Sequence, residues 1–174
     1  YSSVNVGNSP TDAVVGDFNG DAFADIATAN LGANNVTVLL GNSNGNGNLS
    51  QASGSPIAMP ASPGTNGSRP YGIASADFNH DGKTDLVTAN RNSGTATLLL
   101  GDGSGQFVIS TTIPLGSGNL FSYRVATADF NGDSHTDIAV SNNAGNSISV
   151  ALGDGAGQLA LAPLSPFTVS GLAS

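Results

Sequence analysis

One short motif, Asp-Phe-Asn-x-Asp, occurs three times and limits the possible folds of this chain more than any other feature. Its copies occupy residues 17–21, 77–81 and 129–133. Each copy precedes a further Asp, two apolar or β-branched runs, and a glycine at constant spacing, namely Gly41, Gly101 and Gly153. A repeat of this regularity predicts that one supersecondary unit is built three times and that each unit packs against its neighbours.

The residues around the motif predict four short strands in each copy. One strand leads into the motif (13–17, 72–77 and 125–129). Two strands follow it, at 26–30 and 36–40, at 86–90 and 95–100, and at 138–142 and 148–152. A fourth follows the glycine, as at 107–113. Four short antiparallel strands per repeat are typical of a β-propeller blade.

The predicted fold is therefore all-β: a partial β-propeller with three blades, each of four antiparallel strands. Residues 1–174 form one propeller segment, with blades at 7–62, 63–117 and 118–174. Residues 1–6 are expected to add a strand to a neighbouring blade, and residues 159–169 are expected to form a fourth strand. The spacing of the copies differs only after the glycine, chiefly within 54–70, which predicts variable surface loops where a ligand is met.

The acidic residues support this assignment, because all 12 of them are Asp. Asp is the carboxylate of tight turns and calcium loops, whereas Glu favours helices, so helix content is expected to be close to nil. With four Lys and Arg and a net charge of −8, the chain offers no basic surface for nucleic acid. It has no Cys, and no apolar run is long enough for a membrane span.

The motif and the Asp that follows it form a loop, here called the Asp loop, with side-chain oxygens at positions 1, 3, 5 and 9. The predicted metal ligands are Asp17, Asn19, Asp21 and Asp25, then Asp77, Asn79, Asp81 and Asp85, then Asp129, Asn131, Asp133 and Asp137. Position 7 is Phe23, Lys83 or His135, and this freedom predicts a ligand through the backbone carbonyl. Hard oxygen ligands in a flexible loop favour Ca²⁺ over zinc, copper or magnesium.

The alternative is that these side chains form Asx turns, in which each Asp or Asn caps its own backbone. Three carboxylates in each loop would then repel one another with no cation to compensate. Gly82 lies at the sharp-turn position 6 of the second loop, whereas Ala22 and Ser134 occupy this position in the other two. We therefore expect three calcium sites, one in each repeat, without which the fold is weaker.

These motifs resemble the FG-GAP or VCBS repeats of integrin α-subunit propellers, bacterial surface proteins and some fungal lectins. The resemblance rests on the Asp loop, on Ile-Ala-Thr-Ala-Asn at 26–30, on Val-Leu-Leu-Gly at 38–41 and on the Gly-Asp-Gly turns, and it covers nearly all of the chain. It implies calcium ligands at positions 1, 3, 5 and 9 and at the carbonyl of position 7. Ala22 and His80 depart from the family pattern, and their loops are expected to bind calcium more weakly.

Propellers close with about four to eight blades, so three blades leave two faces uncovered. A homodimer with six blades is the simplest closure, and the alternatives are a trimer with nine blades or a seven-bladed chain of which this is a fragment. The chain begins at Tyr1 with no initiator Met or signal-like segment, which indicates a processed or excised chain. Calcium loops of ordinary affinity are filled outside cells, and a secreted or cell-surface location is therefore expected.

Several other side chains are candidates for ligand binding at the blade ends opposite the Asp loops. Tyr71 and Tyr123 lie at equivalent places before the second and third loops, where an exposed ring would stack on a sugar. Arg69, Arg91 and Arg124 lie near the same blade ends as the tyrosines and are candidates to bind an acidic group. The alternative for the tyrosines is packing between blades, and the alternative for the arginines is simple solvation.

The sequence offers little for catalysis, because the titratable groups outside the Asp loops and glycine turns are Asp12, a few cations and the tyrosines. We therefore predict a non-enzymatic, calcium-stabilised binding or scaffold module that recognises a carbohydrate or a protein surface. The alternatives are a purely structural, self-assembling repeat with no ligand beyond calcium, and a non-catalytic portion of a larger secreted enzyme. The fold alone does not choose among them.

Overall fold

The structure of the chain is a computed structural model that describes residues 4–42, 47–60, 67–117 and 121–169. All regular secondary structure in these ranges is β, with 14 strands in three antiparallel sheets. No helix long and apolar enough to cross a membrane is found among the described residues. The fold class expected from the sequence is confirmed, because each sheet is one blade of a partial β-propeller.

The three blades follow one another along the chain. Blade 1 contains β1 (Pro10–Gly16), β2 (Asp25–Asn30), β3 (Asn35–Leu40), β4 (Ser50–Gln51) and β5 (Ile57–Ala58). Blade 2 contains β6 (Pro70–Ala76), β7 (Asp85–Asn90), β8 (Thr95–Gly101) and β9 (Phe107–Pro114). Blade 3 contains β10 (Ser122–Ala128), β11 (Asp137–Asn142), β12 (Ser147–Gly153), β13 (Leu159–Leu161) and β14 (Phe167–Thr168). In each blade the Asp loop joins the first strand to the second, so the three loops lie at the same end of the blades.

The fourth strand differs between the blades. In blade 2 it is the continuous strand β9, whereas in blades 1 and 3 two short pieces pair with the third strand. The single strand expected at 159–169 is therefore two strands, because a turn ending at Pro166 interrupts it and proline has no N–H for the ladder. The hydroxyl of Ser165 accepts the N–H of Val150 at 2.9 Å inside this interruption. Ser55 accepts the N–H of Val38 at 2.8 Å in blade 1.

The N-terminal segment carries no strand in its described part, which is residues 4–6. Residues 1–3 lie outside the described residues. The extra strand expected at 1–6, which needs a neighbouring blade, therefore stays a prediction. Close to this segment, the N–H groups of Leu31 and Gly32 donate to the carbonyls of Ser9 and Asn8 at 3.0 Å, which fixes the chain as it enters β1.

Each blade has two faces, because side chains alternate across its strands. We call the face toward the preceding blade the front face and the face toward the following blade the back face. One core lies between the back of blade 1 and the front of blade 2, and includes Val36, Val38, Leu86 and Leu99. A second core lies between the back of blade 2 and the front of blade 3, and includes Val87, Leu98, Ile138 and Val140.

The first strands of the blades lie side by side, with β6 in contact with both β1 and β10. The row of three sheets is not closed into a ring. Within the described part of the chain, the front face of blade 1 and the back face of blade 3 therefore have no blade against them.

Candidate metal centres in the Asp loops

The three Asp loops share one pattern of hydrogen bonds. The oxygens at positions 1, 3 and 5 accept the backbone N–H groups at positions 6, 5 and 7. In the first loop these bonds join Asp17 to Ala22, Asn19 to Asp21 and Asp21 to Phe23 at 2.9, 3.0 and 2.9 Å. The equivalent bonds of the second and third loops measure between 2.8 and 3.1 Å. The Asx turns considered as an alternative to metal binding are therefore present.

Left-handed backbone at two positions gives the loops their shape. At position 4 the φ angle is 75° for Gly20, 57° for His80 and 82° for Gly132, and at position 6 it is 66° for Ala22, 79° for Gly82 and 69° for Ser134. Glycine adopts this conformation freely, whereas another residue costs about 1–2 kcal/mol. The loops without glycine at position 6 thus keep the geometry of the loop that has it, at some cost in stability.

The Asp at position 9 is the buried anchor of each loop. Asp25, Asp85 and Asp137 are completely buried. The two oxygens of Asp25 accept the N–H of Phe18 at 2.7 Å and the N–H of Gly41 at 2.8 Å, and the other loops repeat these bonds. Residue 41 must be glycine, because a Cβ there would collide with the carbonyl oxygen of Ala24, at position 8 of the loop.

Position 9 was predicted only as a metal ligand, and its structural role was missed. The constant spacing between each Asp loop and its glycine was the available signal. This spacing exists because one carboxylate joins the loop to the end of the third strand. Whether the same carboxylate also binds a cation stays a prediction.

One carboxylate oxygen in the second loop has no partner. Oδ1 of Asp77 is buried and makes no hydrogen bond. The equivalent oxygens of Asp17 and Asp129 each accept the N–H of a glycine at position 4, at 2.7 Å. His80 takes that position in the second loop. Because a buried carboxylate oxygen without a donor is costly unless a cation compensates, Asp77 offers an oxygen that the protein itself does not use.

The ionisation of the loop carboxylates follows from these surroundings. The backbone N–H of Ala22 is the main cause that lowers the pKa of Asp17. Burial is the main cause that raises the pKa of Asp85. Two backbone N–H donors lower this pKa, whereas the negative charges of Asp81 and Asp77 raise it further. The carboxylates of one loop therefore repel one another, and a cation among them would relieve this repulsion.

The donor chemistry of the loops suits a hard cation. No group of three or more His, Cys, Asp or Glu side chains among the described residues forms a ready metal cluster. Each Asx bond uses one lone pair, however, and a carboxylate or amide oxygen carries two. Positions 1, 3 and 5 thus keep acceptor capacity while their Asx bonds hold them in place. An Asx turn and a bound cation are compatible in the same loop, and only oxygen ligands are offered.

Tyr71 and Tyr123 lie together at the blade ends away from the Asp loops. Their ring centroids are 4.6 Å apart in an edge-to-face arrangement. The guanidinium of Arg91 lies 5.5 Å from the centre of the Tyr123 ring and 5.2 Å from that of Phe121. Nε of Arg91 also donates to the Tyr123 hydroxyl at 3.3 Å. The tyrosines thus contribute to packing between blades 2 and 3 while both stay partly exposed, and ligand binding by them stays a prediction.

Arg124 forms an ion pair with Asp12 and so links blade 3 directly to blade 1. The equivalent position in blade 2 is Gly72, where a Cβ would collide with the carbonyl oxygen of Tyr123. Arg69 is placed by its backbone, with its N–H donated to Oδ1 of Asn34 at 2.7 Å. Ligand binding by Arg69 and Arg124 stays a prediction, and Arg124 would have to exchange Asp12 for the ligand.

A buried polar network, missed in the sequence, lies at the end of each second strand. In blade 2, Nδ2 of Asn90 donates to the Thr97 hydroxyl at 2.8 Å, and its Oδ1 accepts from the Thr88 hydroxyl at 3.0 Å. Asn30 and Asn142 make equivalent donor bonds in blades 1 and 3. The recurrence of Asn at the end of each second strand was the signal. These amides are structural, because they satisfy polar groups inside the blade.

Two family models match this chain. The model described as FG-GAP-like repeat matches residues 17–88 and 77–140, and the model described as FG-GAP repeat matches residues 121–161. No curated protein matches the chain.

Two solved structures are similar to this chain. The chain is similar to a protein from Lactobacillus plantarum with a TM-score of 0.62 and 14% identity, covering 92% of this chain and 42% of that one. It is also similar to BBS1N in complex with ARL6DN, soaked with lead, with a TM-score of 0.47, 14% identity, and 94% and 57% of the two chains covered. At this identity the first likeness shows the fold alone, and the chain spans less than two thirds of either protein. The family matches extend from residue 17 to residue 161, and the chain belongs to the FG-GAP repeat family.

Proposed function

We propose that this chain is a calcium-stabilised β-propeller scaffold that binds a partner outside the cell and catalyses no reaction. FG-GAP repeats are typical of extracellular proteins, where calcium is abundant enough to fill loops of ordinary affinity. The single observation that carries the proposal is the buried, partnerless Oδ1 of Asp77 in a loop whose neighbouring oxygens, on Asn79 and Asp81, are held by Asx bonds.

Each loop would hold calcium through its side-chain oxygens at positions 1, 3, 5 and 9 and through the carbonyl of Phe23, Lys83 or His135. The Asx bonds orient positions 1, 3 and 5, and two backbone N–H groups orient position 9. A bound calcium ion supplies the positive charge that these carboxylates lack. Because the loops are assembled only in the folded chain, binding raises the free energy of unfolding.

A catalytic role is not proposed, because the carboxylates outside the Asp loops already have structural partners. Asp12 pairs with Arg124. Asp102 and Asp154 accept the backbone N–H groups of Ser104 and Ala156 in their own turns, at 2.7 and 2.8 Å. A general acid and a general base would each need a carboxylate released from such a contact.

Titration of the metal-free chain with calcium, followed by calorimetry, tests the proposal. We expect one site in each Asp loop and a higher midpoint of thermal unfolding in calcium than in chelator. Magnesium is expected to stabilise less, because it requires a tighter octahedron of ligands than a flexible loop provides. The same unfolding midpoint in calcium and in chelator would contradict the proposal.

Two variants separate calcium binding from Asx turns. In Asp21→Asn and Asp133→Asn the side chain keeps an oxygen for the N–H at position 7 but loses its charge. Each variant also loses the oxygen that accepts the side-chain amide at position 3, so the comparison is made between calcium and chelator. Calcium binding predicts that each variant loses one site, whereas Asx turns alone predict the same midpoint in calcium and in chelator for every variant. The matched control is Asp102→Asn, because Asp102 forms an Asx turn outside the Asp loops and its replacement is expected to leave every site intact.

Carbohydrate recognition is a second candidate for the partner, favoured by the adjacent and partly exposed rings of Tyr71 and Tyr123. An aromatic face stacks on the apolar face of a sugar. A glycan array probed in calcium with the chain and with Tyr123→Ala tests this idea. Binding that is lost in the variant supports it. An array without any bound glycan excludes it and leaves a protein surface as the partner.

A further inference from the structure

The exposed large apolar side chains are concentrated on the two faces that no blade covers. Nine such side chains occur among the described residues. Those on the front side of blade 1 are Val15 and Phe23, and those on the back side of blade 3 are Phe130, Ile148, Phe167 and Val169. The other three of these nine, Val108, Ile109 and Leu164, lie elsewhere. Clustering of exposed apolar groups on two faces indicates surfaces that another molecule covers.

The two internal seams show what covers such a face. Phe130 is 50% exposed, whereas its equivalents Phe18 and Phe78 are 1% and 2% exposed. Ile148 is 40% exposed, whereas its equivalents Val36 and Ala96 are completely buried. The sheets are paired alike in all three blades, so the difference comes from the front face of the next blade.

Polar contacts at the internal seams also join a back face to the next front face. The N–H of Gly105 in blade 2 donates to the carbonyl of Phe18 in blade 1 at 2.8 Å. The hydroxyl of Ser149 in blade 3 donates to the carbonyl of Leu115 in blade 2. In blade 3 the corresponding region is an open groove lined by Tyr123, Ser141, Asn146, Ile148 and Val169. This groove is the place that a following blade fills at the other seams.

The matching front face in this chain is that of blade 1. Val15 is 62% exposed and pairs with Ile26, which in turn pairs with Leu39. These residues occupy the positions that Ser75, Leu86 and Leu99 hold in blade 2. Gly7 lies against Asn30, Ala33 and Asn35 at the far edge of this face. Leu39 is only 5% exposed, so Val15 and the half-buried Ile26 form the part of the face that stays open.

Phe23 adds an exposed ring to the same front side. The equivalent residue Lys83 lines a groove with Asp17 and Gly20 of the preceding blade. In the third loop the ring of His135 lies 5.1 Å from the ring of His80 in the preceding loop, so position 7 faces the preceding Asp loop at a seam. In blade 1 this position has no preceding blade in the described chain, and its side chain is apolar and exposed.

We propose that the back face of blade 3 binds the front face of blade 1 in a second copy of this chain. Two copies then close a six-bladed ring through two head-to-tail seams, each repeating the contacts of an internal seam. Such a ring lies within the range of about four to eight blades that propellers use. The contact is heterologous, because different faces meet, and it closes after two copies. It is built from apolar faces and is independent of calcium in the Asp loops.

Mass in solution, measured by light scattering over a dilution series, tests this proposal. The unmodified chain is expected to have twice the mass of one chain. Val15→Asp and Ile148→Asp each place an unpaired charge in both seams and are expected to give single chains. An equimolar mixture of these two variants retains one unmodified seam and is expected to regain the doubled mass. Val108→Asp is the matched control, because Val108 is exposed outside both faces and its variant is expected to stay paired.

The unmodified chain, folded by circular dichroism but single at every concentration, would overturn the proposal. So would a doubled mass for Val15→Asp together with single chains for Ile148→Asp, because that pattern means back-to-back pairing of blade 3. If either Asp variant does not fold, Val15→Ser and Ile148→Ser replace it. The series is repeated in chelator. A doubled mass, without any effect of calcium on unfolding, would support the seam and contradict the proposed calcium sites. Single chains whose unfolding midpoint rises in calcium would support the calcium sites and contradict the seam.

Discussion

Blades 2 and 3 are built from the same repeat, yet their back faces differ. Their second and third strands pair in the same register, and both Asp loops are tied by a buried Asp at position 9. Leu115 of blade 2 is completely buried, whereas its equivalent Val169 in blade 3 is 53% exposed. The backbone of a blade is thus fixed within the blade, while burial of its apolar face depends on the next blade.

This difference divides stability into two contributions. Hydrogen bonds within a blade are expected to contribute equally in blades 2 and 3. Apolar contacts of the back face are expected to contribute in blade 2, and in blade 3 only when a second copy covers that face. Repeat proteins often behave in this way, with an intrinsic contribution from each repeat and an interface contribution from each pair of neighbours. Matched substitutions in the two blades separate the contributions.

The largest expected difference concerns the phenylalanine that follows the first Asp of each loop. Phe78→Ala removes a ring from the core between blades 2 and 3 and is expected to lower the free energy of unfolding by about 3–5 kcal/mol. Phe130→Ala removes a half-exposed ring and is expected to cost about 1 kcal/mol in a single chain. Urea unfolding at high dilution measures both, with the unmodified chain as reference.

Measuring both variants at several protein concentrations tests whether the next blade causes this difference. Where two copies pair through the proposed seam, Phe130 becomes buried and the cost of Phe130→Ala is expected to rise toward that of Phe78→Ala. Equal costs at every dilution would show that coverage by the next blade does not distinguish the two positions.

The Asp at position 9 provides the opposite comparison, because it acts within the blade. In Asp85→Asn and in Asp137→Asn, one of the two backbone N–H groups that the carboxylate accepts faces the NH2 group of the new side chain instead of an oxygen. We expect each substitution to cost about 1–3 kcal/mol. The two costs are expected to be equal within error when unfolding is measured in chelator, which excludes any effect through calcium. A clearly smaller cost in blade 3 would mean that loop anchoring also depends on the neighbouring blade.

The sequence predicted what depends on local pattern. Runs of apolar and β-branched residues placed the strands at 26–30 and 86–90, and the structure begins each of them one residue earlier, at Asp25 and Asp85. The Asp loops were found because their oxygen-bearing residues recur at fixed positions. Both features are set by neighbours in the chain, through the alternation of side chains and through the geometry of turns.

Features that depend on contacts between distant residues were not predicted. The ion pair between Asp12 and Arg124 requires all three blades to be placed before the two side chains meet. At the division of the fourth strand, the hydroxyl of Ser165 meets the N–H of Val150 in β12, a contact that the local sequence does not reveal. The orphaned oxygen of Asp77 follows from His80 at a position where the other loops have glycine, and its burial is known only from the packed structure.

A smaller effect is expected from the serines that interrupt the fourth strand in blades 1 and 3. Ser55→Ala leaves the N–H of Val38 without its acceptor, and Ser165→Ala does the same to Val150. Each loss is expected to cost about 1 kcal/mol and to speed hydrogen exchange at that one amide. Blade 2 has a continuous fourth strand and serves as internal control, since exchange at Leu98 is expected to be unchanged in both variants. Unaltered exchange at Val38 and Val150 would show that water replaces the hydroxyls without loss.

The smallest effect is expected from the ion pair that joins blade 1 to blade 3 past Gly72. The Arg124 side chain is 60% exposed, so solvent and salt weaken its attraction to Asp12, and Arg124→Ala is expected to cost about 0–1 kcal/mol. A double-mutant cycle with Asp12→Ala, measured at low and at high salt, isolates the pair from the other contacts of each side chain. We expect a coupling energy that declines with salt. A coupling above about 2 kcal/mol that salt leaves unchanged would mean that the pair is desolvated and that the end blades are held together by more than their seams with blade 2.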